Sequence, residues 1–105
     1  MNRVFSLLDR IEQSYGVYIG DKSISSLALF VSGFECALYE ITGVRASFNY
    51  KFQKFVERYY GKAYYSGKHW DDIILEKCSS PDAFDAFFVL LREFQKEEGL
   101  KTENE

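Results

Sequence analysis

Proline, histidine and tryptophan each occur once in these 105 residues, and cysteine only twice. A single histidine, His69, excludes a two-histidine metal site and any H-E-x-x-H helix. Cys36 and Cys78 stand far apart, without the spacing of a metal knuckle or a disulfide framework. The expectation is two reduced thiols that fill apolar space. A Cys–His nucleophile pair would have to join one of them to His69, and nothing local supports it. Glycine-rich phosphate loops and nucleophile elbows are missing as well. No apolar run approaches the roughly 20 residues needed to cross a bilayer, and the opening residues lack the cleavage site of a signal peptide. These absences point away from an enzyme. They suggest a cytoplasmic binding protein with no cofactor, no metal and no membrane partner.

What the chain does have is apolar mass and a divided charge. Hydrophobic residues make up 47% and aromatics 18%, ample for one core in one small domain. Residues 45–68 carry six bases (Arg45, Lys51, Lys54, Arg58, Lys62, Lys68) against one acid, Glu57, a formal +5. Residues 69–105 carry ten acids against four bases, a formal −6, and the whole chain is −3. Such a separation speeds and orients encounter with a charged partner.

Periodicity predicts an all-α domain over residues 1–99, about five helices around a central apolar helix, with 100–105 a frayed polar tail. Val4, Leu7, Leu8 and Ile11 share one face of a first helix, for which Gly16 can supply the terminating residue. Residues 15–20 read as an extended connector. Asp21 or Ser23 can cap a second helix, from about Ile24 to Ile41. That helix is apolar nearly all round and should be surrounded by protein. Ser47 or Asn49 can cap a third, with Phe48, Phe52, Phe55, Val56 and Tyr59 inside and Lys51, Lys54 and Arg58 on its wet face. A short helix follows from Lys68 to Lys77, anchored by Trp70, Ile73 and Ile74. The last opens with Ser80 as cap and Pro81 at its first position. Phe84, Phe87, Phe88, Leu91 and Phe94 then repeat on one face as far as Gly99.

Three features stand out as candidate sites. Glu35 lies on the apolar second helix, and a buried carboxylate must be paired or hydrogen-bonded: it lies at the edge of the apolar stripe, meets an arginine or a tyrosine hydroxyl, or opens onto a binding surface. The H-W-D-D run sets Asp71 and Asp72 at a helix start, beside the only tryptophan. Between Lys51 and Tyr65, lysines and Arg58 alternate with tyrosines 59, 60, 64 and 65. Such a mixture suits a protein interface or a nucleic-acid surface, although the acidic final third would repel phosphates.

The stretch L-D-R-I-E-Q-S-Y-G-V-Y-I-G, running on through Ser23, Leu27 and Phe30, resembles the opening of small helical bacterial immunity proteins. These are encoded beside polymorphic toxins, including those of contact-dependent growth inhibition. The later Phe52, Phe55, Val56, Arg58 and Tyr59, then Trp70, then Phe87 to Phe94, are similar to the same group; Tyr15 and Val17 stand where proline and methionine are usual. The resemblance implies an all-helical fold and a protein that binds its cognate toxin, often a basic nuclease, and occludes the active site without any cofactor. In that role the expected contact set is Asp21, Glu35, Asp71, Asp72 and Glu76 with Tyr60, Tyr64 and Tyr65. The alternative is a small RNA- or DNA-binding protein using the Lys51–Tyr65 face.

Overall fold

A computed structural model describes residues 1–61 and 67–104, with backbone alone at 80 and 100–104. Regular structure among these residues is entirely helical: α1 (Asn2–Gln13), α2 (Tyr15–Tyr18), α3 (Ile24–Thr42), α4 (Phe48–Tyr60), α5 (Trp70–Lys77) and α6 (Ser80–Asn104). The principal extents are 35 × 33 × 24 Å.

Helix α1 buries the expected Val4, Leu7, Leu8 and Ile11. It ends at Gln13, before Gly16, and residues 15–18 form one helical turn in place of an extended connector. Packing outweighs the strand preference of Val17 here. The Tyr15 ring meets Phe84 edge-on at 5.7 Å and the Tyr18 ring meets Phe30 at 6.1 Å. The left-handed residue falls later, at Gly20, with φ 86°.

Ser23, not Asp21, caps α3: its hydroxyl accepts the Ser26 N–H at 3.1 Å. Gly43, at φ 71°, ends the helix in the left-handed region open to glycine. Helix α3 packs against α1, α5 and α6. The contact is one-sided, however, because only Ile24, Leu27, Ala28 and Val31 are buried. The expectation that protein would surround this helix fails along its outer face. Leu29 is 76% exposed and Ile41 82%, and Cys36, expected inside, is exposed.

Helix α4 buries Phe48, Phe52, Phe55 and Val56. Tyr59, expected among them, is exposed; its ring rests on Phe55 and Tyr60 at the helix end. Glu57 is buried instead. Helix α5 starts two residues later than predicted, at Trp70, and buries Trp70, Ile73 and Ile74. Helix α6 begins at Ser80, which leaves the position before it to Ser79. The Ser79 carbonyl accepts the Ala83 N–H at 2.8 Å, and its hydroxyl donates to Asp82 at 2.9 Å. The helix continues through Gly99 to Asn104, although glycine inside a helix costs about 1 kcal/mol relative to alanine. Arg58–Glu97 at 2.8 Å and Lys51–Glu98 at 3.6 Å hold the turn just before Gly99 against α4.

Rings fill the core. Phe52 lies 5.1 Å from both Phe48 and Trp70, 5.3 Å from Phe87 and 5.4 Å from Phe94, all as centroid separations. Separations of this size fall in the favourable range for aromatic pairs, most of them here edge to face.

Candidate functional site

Glu35 is where the surface and the interior meet. Helix α4 has no side-chain cap of its own, since the Ser47 hydroxyl makes no capping bond. The carboxylate of Glu35 reaches across from α3 and accepts the Asn49 backbone N–H at 2.8 Å. It therefore satisfies an orphan donor in the first turn of α4 and places negative charge at the positive end of that helix. The Asn49 side chain completes the junction. Its Nδ2 donates to Ser32 Oγ at 3.2 Å, and its Oδ1 accepts the indole N–H of Trp70 at 2.9 Å. One asparagine thus joins α3, α4 and α5.

Burial raises the Glu35 pKa above the usual carboxylate value, and the Asn49 N–H opposes that rise only in part. A raised folded-state pKa means that the folded chain binds its proton more readily than the unfolded chain. This residue's contribution to stability is then greatest below the unfolded value and declines as pH rises through the folded one. Glu35→Gln keeps an oxygen for the Asn49 N–H and removes the charge. The stability of this variant relative to wild type should therefore increase as pH rises from the ordinary carboxylate range upward. Urea titrations of both chains between pH 4 and pH 7 would check the sign, and an unchanged difference would contradict it.

The basic face of α4 is largely engaged within the chain. Besides the two pairs with α6, Lys54 lies 4.0 Å from Glu57. Glu57 also accepts a bond from Gln53 Nε2 at 3.1 Å, and the same nitrogen donates to the Lys68 carbonyl at 2.9 Å. The acids of the C-terminal third answer the bases of the middle third at close range. The sequence-level charge separation is therefore much weaker on the folded surface.

The expected contact residues are dispersed. Asp21 and Asp72 are exposed and make no ion pair among the described residues. Asp71 is buried, and its carboxylate lies 2.6 Å from His69 Nδ1. Glu76 pairs with Lys68. Tyr60 is half-buried, with the Lys77 ammonium 5.7 Å from its ring centre. Burial, then Cys78 and Tyr59 beside it, raises the Tyr60 pKa. Tyr64 and Tyr65 lie outside the described residues.

The surface that sequence reading missed is the outer side of α3. Leu29, Gly33, Cys36, Ala37 and Glu40 recur at helical spacing on the side opposite Leu27 and Val31, and all five are exposed. Val44, just past the helix end, is 67% exposed. The 19 residues of α3 include two acids, Glu35 and Glu40, and no base. By length and composition alone this helix could cross a membrane, but its inner side belongs to the core. Between α3 and the start of α4 runs a cleft of about 320 Å³ lined by Glu35, Cys36, Tyr39, Glu40, Arg45 and Asn49, among others. The Arg45 guanidinium lies over the Tyr39 ring, 4.7 Å from its centre.

No family model, no curated protein and no solved structure matches this chain.

Proposed function

We propose that this chain is an immunity protein that binds and neutralises a cognate antibacterial toxin in the cytoplasm. The toxin is a nuclease, an RNase or tRNase, and it is inhibited by steric and electrostatic occlusion of its active site. The observation that carries the reading is the uncovered outer face of α3. Apolar surface left open to water marks a site of association, and the one charge on that face, Glu40, is acidic, which suits a basic partner. Asp21 and Asp72 remain available to steer such a partner. Glu35, Asp71 and Glu76 contribute mainly through the groups they already hold in place. The chain itself turns nothing over and takes no cofactor.

The nucleic-acid alternative draws less support, because Lys51 and Arg58 are paired with Glu98 and Glu97 and phosphate affinity depends on available cations. Co-expression with the nuclease toxin that this proposal places in a neighbouring gene tests it. Cells should survive, and the two proteins should co-elute in equal amounts. Death of the cells despite soluble expression of this chain would refute it.

A further inference from the structure

We propose that the trough between the start of α1 and the end of α3 is a binding site for an acyl chain ending in a carboxylate. The trough has a volume of about 390 Å³ and is lined by Met1, Asn2, Arg3, Val4, Leu38, Thr42, Val44, Arg45 and Ala46. That size lies within the roughly 300–1,000 Å³ range of small-molecule sites. Its chemistry is divided in the way an amphiphile requires. Met1, Val4, Leu38, Val44 and Ala46 supply apolar wall, whereas Arg3 and Arg45 supply two cations and, among the described residues, no carboxylate lines the trough. In a chain of net charge −3, the trough lining is positive, and the acids Glu35 and Glu40 line the cleft on the other side of Arg45.

Both arginines are available. Among the described residues neither Arg3 nor Arg45 makes an ion pair, and the Arg45 guanidinium lies over the Tyr39 ring. Stacking uses the face of a guanidinium and leaves its in-plane N–H donors free. Those donors match a carboxylate in a two-point, charge-assisted arrangement. Thr42 is occupied: its hydroxyl donates to the Leu38 carbonyl at 2.7 Å and accepts the Val44 N–H at 3.1 Å. The acid's headgroup thus belongs to the arginines, and its hydrocarbon to the wall beneath them. This site borders the outer face of α3 at Val44 and Arg45, but the proposal does not depend on toxin binding.

Sodium decanoate, held below its micelle-forming concentration and titrated into the ¹⁵N-labelled full chain, is the test. Saturable 1:1 shifts are expected in residues 1–4 and 44–46. Affinity should rise roughly fourfold for each methylene from hexanoate to decanoate. Decanol should bind at least tenfold more weakly than decanoate. The Arg3→Ala/Arg45→Ala double variant, altered only at exposed positions, should lose at least tenfold in decanoate affinity with its far-ultraviolet spectrum unchanged. Equal binding of decanol and decanoate, undiminished affinity in the double variant, or no saturable shift would each overturn the proposal.

Discussion

Phe52→Ala should lower the unfolding free energy by about 3–5 kcal/mol, the usual loss for a fully buried phenylalanine. Phe52 is completely buried and meets rings from its own helix, from α5 and from α6. Truncation would open a cavity that five neighbouring rings line but cannot close without leaving their rotamers. Domains of this size have a stability of about 5–15 kcal/mol, so the loss could take up most of the margin. Equilibrium urea unfolding would show a much lower midpoint with a similar slope. A cost below about 1 kcal/mol would mean that the ring cluster is not the centre of the core. Phe52→Leu, which retains most of the volume, should recover a large part of the loss.

The second large effect concerns association alone. Ala37→Arg places bulk and positive charge at the middle of the outer α3 face, where Gly33 and Cys36 leave little to shield it. Substitution at an exposed position of this kind changes stability by roughly 0.5 kcal/mol or less. At the centre of an interface, by contrast, losses of about 2–4 kcal/mol are typical of hot spots, roughly a 30- to 1,000-fold change in affinity. We therefore expect loss of protection in the co-expression assay, with thermal unfolding unchanged. Asp72→Asn, on α5, should mainly slow association and weaken its salt dependence. If Ala37→Arg protects as well as wild type while Asp72→Asn does not, the toxin docks through α5 instead.

Helical periodicity revealed most of the fold. Val4, Leu7, Leu8 and Ile11 could be read directly, as could the apolar face of α6 from Phe84 to Phe94. Gly43 and Gly61, at the ends of α3 and α4, both take a positive φ, whereas Gly16 and Gly99, read as helix ends, do not. The errors share a physical cause. Apolar spacing shows which residues seek cover, not whether another element arrives to provide it, so Leu29 and Ile41 seemed internal. The turn at residues 15–18 depends on Phe84 and Phe30, which the local sequence cannot indicate. Glu35 does need a partner, but it is neither an arginine nor a tyrosine hydroxyl: it lies 14 residues away in a backbone N–H. The basic face of α4 misled for a similar reason. Its partners, Glu97 and Glu98, come from the far end of the chain, and sequence-level charge counts cannot show which opposite charges meet.

The single indole of this protein doubles as an optical gauge. Trp70 is shut off from water, and its N–H is fixed on Asn49, so its fluorescence should report the integrity of the α3–α4–α5 junction. A ligand settling on the outer side of α3 touches none of that, and the emission maximum should hold steady while the complex forms. Unfolding would move it to the red. One spectrum can thereby separate a variant that has lost its partner from one that has lost its shape.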